Sequence, residues 1–211
     1  MRIGIDASNI LTGGGVTHLK KILEYADLLK YGIQKIVVWG GKTTLEELPQ
    51  SYNSGLNYLE VLNNTISRRL LWQQTELCSL AKKSCDILFV PGGSYLGGFR
   101  PYVTMFQNMQ VFDTKERNRE NSREWFRLRL LQTAQTLSFQ RASGLTCLSE
   151  YARNYLTQYY PQLAAKTTIQ LIAHGTETFN NDSTMSRTES SNDSQILKNL
   201  YFPTVKKYKH Q

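Results

Sequence analysis

The sequence predicts an α/β fold built on a mainly parallel β-sheet. Short runs rich in β-branched residues alternate along the chain with longer segments of helical spacing. Strands that alternate with helices are joined by βαβ crossovers, which keep neighbouring strands parallel and cover both faces of the sheet. The apolar run ILFV at residues 87–90 is typical of a central strand in such a sheet, because it is apolar on both faces.

The individual elements follow in order along the chain. Apolar and β-branched runs predict strands at residues 2–6, 35–39, 58–61, 86–90, 102–106, 144–148 and 168–173. Helical spacing predicts helices at residues 16–30, 67–83, 120–141 and 150–159. In the second helix, one face is formed by Leu70, Leu77, Leu80 and Ala81. Because crossovers of this kind are right-handed, the order predicts a Rossmann-like, doubly wound domain.

The composition changes abruptly near residue 180. Residues 180–195 are dominated by Asn, Asp, Ser, Thr, Glu and Arg, which predicts a solvated linker. Residues 196–211 are apolar and aromatic again, and one strand cannot bury itself. We therefore expect one domain over residues 1–179 and, at residues 196–211, the first strand of a second domain that is otherwise absent. The alternative is a C-terminal strand that returns to the first sheet.

The composition also argues against several kinds of site. The three cysteines have no CxxC spacing and the three histidines no HExxH motif, which disfavours disulfides, structural zinc and a built-in metal site. No apolar run approaches the roughly 18 residues of a membrane span. A carboxylate at Asp6 is incompatible with a secretory signal, so we expect a cytoplasmic protein.

The net charge of +8 is concentrated in one segment, since residues 115–141 hold seven Lys or Arg against three Glu. No nucleic-acid-binding motif occurs, so we expect no nucleic-acid partner. The predicted helix places three arginines at i, i+4 and i+8, namely Arg119, Arg123 and Arg127. Beside them stand four apolar residues, Phe126, Leu130, Ala134 and Leu137. This pattern fits docking at the anionic inner face of a membrane, or a solvated face above a stripe of core residues.

In open α/β sheets, ligands bind outside the carboxyl ends of the strands. The loops predicted there are rich in small and hydrogen-bonding residues, which suits a polyhydroxylated ligand. The first loop ends in Gly13, Gly14 and Gly15, just before a helix that contains Thr17. Glycines let the backbone approach a ligand and helix N-terminal amides favour an anion, so this loop fits a phosphate or a sugar. The alternative is a turn that needs only a positive φ.

Two nucleotide-binding motifs do not fit this sequence. A dinucleotide fingerprint needs GxGxxG directly after the first strand and an acidic residue near the end of the second, which here ends in Trp39 and Gly40. The letters GGKT at residues 40–43 imitate a P-loop, but its leading glycine is replaced by Ile36. We therefore expect no bound NAD and no other cofactor.

A second glycine-rich segment, VPGGSYLGGF at residues 90–99, contains Tyr95 and Phe99. Aromatic faces stack on the C–H surfaces of sugars, and glycines let such a loop adapt to a ligand. The alternative is a plain glycine-rich connection between two strands.

Taken together, these segments resemble the N-terminal domain of family 4 glycosyltransferases. The matching letters are spread in order over residues 1 to about 179: IGIDASNI at 3–10, GGGVTH at 13–18, DILFVPGG at 86–93, QNM at 107–109, LSEYAR at 148–153 and AHG at 173–175. The resemblance implies half of a two-domain GT-B fold. It further implies transfer of a hexosyl group, with retention, from a nucleotide diphosphate sugar to an acceptor hydroxyl in polysaccharide or glycolipid assembly.

The same resemblance implies roles for the strand-end segments. The donor's diphosphate would be approached by Gly13, Gly14, Gly15 and Thr17. The acceptor side of the cleft, for a saccharide or a lipid-linked acceptor, would be formed by Ser8, Asn9, Tyr95, Asn108, Ser149, Glu150 and His174. Asn108 stands where many relatives carry a cleft histidine, which is a departure from the family pattern at the position that orients the transferred sugar.

The family's donor site includes a Glu-x7-Glu motif in the second domain, which has no counterpart in this sequence. Residues 201–211 look like the first strand and loop of that donor-binding domain. The catalytic residues therefore stay unassigned, and we expect the chain alone to be inactive. The alternative function is a non-catalytic module that binds a sugar phosphate or pairs with a separate donor-domain subunit.

Overall fold

The computed structural model describes residues 1–49, 51 and 55–169. Within these residues seven parallel strands form one sheet: β1 (Arg2–Asp6), β2 (Lys35–Gly40), β3 (Leu56–Tyr58), β4 (Ile87–Val90), β5 (Tyr102–Phe106), β6 (Gly144–Cys147) and β7 (Thr167–Ile169). Their order across the sheet is β3-β2-β1-β4-β5-β6-β7, and every neighbouring pair is parallel. The predicted α/β class, with a Rossmann-like, doubly wound parallel sheet, is confirmed.

Helices connect most of these strands. In the described residues they are α1 (Gly14–Glu24), α2 (Lys42–Glu46), α3 (Ile66–Thr75), α4 (Leu77–Ser84), α5 (Thr114–Arg117), α6 (Ser122–Arg141) and α7 (Glu150–Tyr159). Short 3-10 helices include Glu60–Asn63, Met109–Val111 and Pro161–Lys166. In this part of the chain no helix is both long enough and apolar enough to cross a lipid bilayer.

The two faces of the sheet bury different side chains of the same strand, because successive residues of a strand point to opposite faces. Val37 and Trp39 of β2 pack in a cluster with α3 and α4. Ile36 and Val38 pack in a second cluster with α1 and α2. A third cluster joins β5 and β6 to α6 and α7. Both faces are therefore covered, as a doubly wound fold requires.

Gly4 lets β1 lie against the bulky end of Trp39. A Cβ atom at Gly4 would lie 2.7 Å from Cys85 Sγ and 2.8 Å from the Trp39 ring. The glycine of the IGID segment therefore has a packing role in the centre of the sheet, where no larger residue fits without moving its neighbours.

The connection from β4 to β5 contains no helix. Within this stretch, residues 91–101, Tyr95 and Phe99 are buried in the same cluster as Trp72 of α3. The Tyr95 hydroxyl accepts a hydrogen bond of 3.0 Å from Phe99 N, and its ring meets Tyr102 edge-on at 4.8 Å. The two aromatic rings thus cover the sheet where a crossover helix would otherwise lie.

Several predicted boundaries were wrong. The first helix ends at Glu24, and the third strand is Leu56–Tyr58, because Leu62 turns inward in the 3-10 helix that follows. The predicted helix 67–83 is two helices, α3 and α4, and Leu70 is exposed. The short helices α2 and α5 were missed because one turn is too short to show a period. The predicted strand 168–173 begins at Thr167, and residues 170–173 lie outside the described residues.

Candidate functional site

The order of the strands across the sheet reverses direction at one place, between β1 and β4, which we call the switch point. The chain leaves β1 towards β2 and β3 on one side and returns to β4 on the other. The loops after β1 and β4 therefore diverge, and ligands of open α/β sheets bind in the crevice that this leaves. The walls of the crevice are close together, since a Cβ atom at Gly92 would lie 3.2 Å from Asn9 Cβ.

The glycine loop ends on this crevice at the N-terminus of α1. Gly13 precedes the helix with φ 70° and ψ −149°, no side chain caps the helix, and its first turn carries no acidic residue. Positive φ occurs only at Gly13 in this loop, and a Cβ atom at Gly14 would meet nothing within 4 Å. The need for a positive φ in the turn therefore explains the glycine at position 13 but not the glycine at position 14. The Thr17 hydroxyl donates to Gly13 O at 3.5 Å.

A buried polar network forms the floor of the crevice. Ser8 N donates to Asp6 Oδ1 at 3.0 Å, and Gln73 Nε2 of α3 donates to Asp6 Oδ2. The same Gln73 Nε2 donates to Ser94 O at 3.1 Å. This network ties the end of β1 to α3 and to the β4–β5 connection.

Asp6 is only 2 % exposed, and no Lys or Arg among the described residues forms an ion pair with it. Burial raises the pKa of the Asp6 carboxyl, and hydrogen bonding to Ser8 and Gln73 opposes this only in part. Ser8 Oγ lies near the carboxyl without reaching the geometry of a hydrogen bond, and Ser94 Oγ is likewise buried without a partner among the described residues.

Sequence reasoning missed Asp6, Gln73 and Ser94 as site residues. A signal was present, because Arg69 and Gln73 lie four residues apart in a predicted helix and share one face with Trp72. Two polar residues on the face that packs on a sheet need a polar partner there.

The remaining predicted cleft residues follow β5 and β6 at the same edge of the sheet. Asn108 is exposed, and its Oδ1 accepts a hydrogen bond of 3.1 Å from Gln110 N at the start of a 3-10 helix. Ser149 caps α7 by accepting a hydrogen bond of 3.2 Å from Ala152 N, and Glu150 is exposed in the first turn. Ser8 is buried and Asn9 half-buried. His174 lies outside the described residues.

The expectation for Tyr95 is corrected by its burial. The side chain is completely buried, and its hydroxyl is held by Phe99 N. Its ring therefore offers no face to a sugar and serves the core instead.

The basic segment differs from the predicted row of three arginines on one helix and from the predicted stripe of core residues. Arg119 lies in the turn before α6 and pairs with Glu116 at 2.7 Å, while Arg127 pairs with Glu124. The predicted core stripe is wrong, since three of its residues are exposed by 38 % or more: Phe126, Leu130 and Leu137. The buried face of α6 is Leu128, Gln135, Ser138 and Phe139. Arg123 and Arg127 therefore border an exposed apolar stripe.

Within the described residues no group of three or more His, Cys, Asp or Glu side chains is arranged to hold a metal ion, and the three cysteines are free thiols. A small groove between α6 and α7, lined mainly by Phe112, Tyr155 and Tyr159, is separate from the crevice residues.

The fold and the crevice define a Rossmann-like domain with an uncapped, glycine-lined helix N-terminus at its switch point. Comparison with known proteins found no matching family model, no matching curated protein and no matching solved structure. The fold class therefore comes from the sheet topology, and the function has to be argued from the crevice.

The conformation of Gly13 can be tested by stability. We expect Gly13→Ala to lower the free energy of unfolding by about 1–3 kcal/mol, because its φ and ψ lie in a region almost confined to glycine. Gly14→Ala is the matched control, and we expect no loss there because alanine favours a helix. Urea unfolding of both variants measures the difference, and equal losses would contradict the assigned loop geometry.

Asp6 predicts an unusual dependence of stability on pH. Its pKa is raised in the folded state, so ionisation disfavours folding: its contribution is most favourable below the ordinary carboxyl range and is lost as the pH rises through the folded pKa. We expect the wild type to lose stability relative to Asp6→Asn in urea unfolding as the pH rises above the ordinary carboxyl range of about 4.

The control for Asp6 is Asp86, whose pKa is lowered by hydrogen bonds and charge from Arg2. The stability that Asp86 contributes is therefore present above its unfolded pKa and lost as the pH falls. The difference in free energy of unfolding between the wild type and Asp86→Asn should therefore rise with pH, whereas the difference for Asp6→Asn should fall. Parallel slopes for the two variants would contradict the buried, uncompensated state of Asp6.

Proposed function

We propose that this domain is the acceptor-side half of a nucleotide-sugar glycosyltransferase of GT-B arrangement. The reaction is transfer of a hexosyl group from a nucleotide diphosphate sugar to an acceptor hydroxyl, in polysaccharide or glycolipid assembly. The observation that carries the proposal is the uncapped, glycine-lined N-terminus of α1 at the switch-point crevice. Open backbone amides at such a place suit the diphosphate of a sugar donor.

The chemistry that the described residues offer is binding and charge stabilisation. When the sugar–phosphate bond breaks, negative charge develops on the leaving diphosphate, and the amides of Gly14 and Gly15 would stabilise it. Asp6 is buried and fully engaged, so it is not placed to exchange a proton with an acceptor. The carboxylates and cations that complete the reaction would come from a donor-binding domain.

The second candidate is a non-catalytic module that binds a sugar phosphate or serves as a subunit of a split transferase. The same burial of Asp6 favours it, because the floor of the crevice offers no exposed acid or base. In this case the crevice would still bind a phosphorylated sugar, but no added donor-binding domain would produce transfer.

The diphosphate contact can be tested by titrating the isotope-labelled chain with uridine diphosphate. We expect weak binding that shifts the backbone amide resonances of Gly13, Gly14 and Gly15, since most donor contacts belong to another domain. Gly14→Glu places a carboxylate at the helix N-terminus and should abolish these shifts by repulsion. Gly98→Glu, at another exposed glycine, is the matched control and should leave them unchanged.

Two results would contradict the proposal. Glycine-loop amides that do not respond to millimolar uridine diphosphate would remove the donor contact. Sugar transfer by the purified chain with no partner added would show that it is not half of an enzyme.

The exposed stripe of α6 supports peripheral docking at the inner face of an anionic membrane. Phe126 and Leu130 are 60 % and 56 % exposed, and Arg123 and Arg127 lie next to them on the helix. An apolar stripe bordered by cations is the pattern by which helices lie in a lipid interface. A lipid-linked acceptor would be reached from this position.

We expect the chain to bind vesicles that contain anionic lipid, and salt to weaken the binding because surface charges are screened. Replacing Arg119, Arg123 and Arg127 by Gln should weaken it, and Phe126→Ser with Leu130→Ser should do so independently of salt. Vesicle co-sedimentation measures both, with Arg68→Gln as the control at another exposed arginine. Equal binding by the triple Gln variant would rule the docking out.

A further inference from the structure

Arg69 is a buried cation without a counter-charge. It is 6 % exposed and lies on the inward face of α3 with Trp72 and Gln73. Its Nε is buried without a hydrogen-bond partner, and no ion pair joins it to a carboxylate of the described residues. Burial lowers the pKa of the guanidinium. A buried polar nitrogen without a partner is costly, and the two Nη atoms, which are not among the buried atoms without partners, are open to an anion from the crevice.

Another buried arginine of the same domain shows what a structural role looks like. Arg117 is 5 % exposed, but its Nη1 donates to Val111 O at 3.2 Å and to Gln132 Oε1 at 2.9 Å. Its guanidinium also lies 6.0 Å from the ring of Trp125. Both arginines have a buried Nε without a partner among the described residues. The difference lies in Nη1 of Arg117, which joins two other segments, whereas the Arg69 side chain makes no hydrogen bond within the described residues.

The position of Arg69 connects it with the crevice. Gln73, one turn further along α3, reaches Asp6 and Ser94 at the carboxyl ends of β1 and β4. α3 lies in the crossover from β3 to parallel β4, so it runs from the carboxyl edge of the sheet towards the amino edge. Arg69 therefore lies one turn nearer the carboxyl edge than Gln73. Helical side chains lean towards the helix N-terminus, which directs Arg69 further towards this edge.

Two more polar groups without partners lie at the same edge. The hydroxyls of Ser8 and Ser94 are buried, and neither has a hydrogen-bond partner among the described residues. Ser8 follows β1 and Ser94 follows β4, so they stand on opposite sides of the switch point. A cation and the Ser94 hydroxyl at one crevice suit an anionic group with several oxygens, whereas the Ser8 hydroxyl lies beside the Asp6 carboxyl.

We propose that Arg69 is an anion subsite of the crevice and binds a phosphate or carboxylate group carried by the acceptor saccharide. The planar guanidinium matches both groups with two parallel hydrogen bonds. The hydroxyl of Ser94 supplies a further contact. That this anion is carried by the acceptor rests on the proposed function, in which the donor diphosphate binds at the glycine loop before α1.

The experiment measures binding of four probes to the full chain by calorimetry: glucose 6-phosphate, glucuronate, uncharged glucose and uridine diphosphate. We expect Arg69→Met to weaken the binding of at least one charged sugar by about tenfold or more, because a desolvated charge pair is lost. Arg69→Lys keeps the positive charge but loses the planar guanidinium with its two parallel hydrogen bonds, so it should weaken binding of the charged sugar less than Arg69→Met. Arg68→Met is the matched control, since Arg68 is exposed on the same helix and bonds only Asn64.

Stability supplies a second readout that a merely structural arginine would not give. Without ligand, Arg69→Met should unfold at a higher urea concentration than the wild type, because it removes an uncompensated buried charge while keeping an apolar stem of similar length. A lower midpoint for Arg69→Met would show that Arg69 supports the fold, and would overturn the subsite.

The remaining outcomes separate the sources of the anion. No binding of either charged sugar to the wild type, or equal binding by Arg69→Met, overturns the proposal. If Arg69→Met weakens only uridine diphosphate, the anion belongs to the donor and the acceptor assignment is wrong. Two results together would separate the proposals: Arg69→Met weakens binding of a charged sugar, and uridine diphosphate does not shift the glycine-loop amide resonances. The subsite is then supported and the transferase proposal fails.

Discussion

The hydrogen bonds that Gln73 makes at the end of β1 are the interaction on which the site depends. One side-chain amide holds the Asp6 carboxyl and the Ser94 carbonyl, and so fixes α3 against both strands that border the switch point. The β4–β5 connection has no helix to anchor it, and its place is set by this contact together with its buried aromatic rings. The glycine loop begins directly after Asp6, so its starting position is set by the same bonds.

Such an arrangement is costly to stability. Asp6 and Arg69 are both buried, and neither forms an ion pair with a described residue, although both lie at one edge of the sheet. An apolar residue of similar volume at position 69 would give a more stable domain. At position 6 it would instead remove the acceptor of Ser8 N and Gln73 Nε2. Natural proteins retain costs of this kind mainly at binding sites, where a ligand supplies the missing partner. The buried Nε of Arg69, which has no hydrogen-bond partner among the described residues, therefore supports binding at this crevice independently of any family resemblance.

The fold could be predicted from the sequence, but much of the site could not. Runs such as residues 87–90 show the period and length of strands, and they depend only on local apolar pattern. Tyr95 was misplaced because composition cannot show whether a loop aromatic faces solvent or replaces a missing crossover helix. For Phe126 and Leu130 the sequence left two readings open, a core stripe or a docking face, because the pattern of a helix does not reveal which apolar residues pack. Gln73 matters through partners 67 and 21 residues away, and Arg69 through the absence of a partner among the described residues, which only the folded chain shows.

The proposed membrane face and the proposed anion subsite are geometrically compatible. α6 lies in the crossover from β5 to parallel β6, so it also runs from the carboxyl edge towards the amino edge. Its first turns, which hold Arg123 and Phe126, are therefore near the edge that carries the crevice. Docking through these turns would hold that edge close to the lipid headgroups. A lipid-linked acceptor that bears a phosphate or carboxylate next to its first sugar would then meet Arg69 without leaving the membrane, whereas a free sugar phosphate would gain nothing from the exposed stripe of α6.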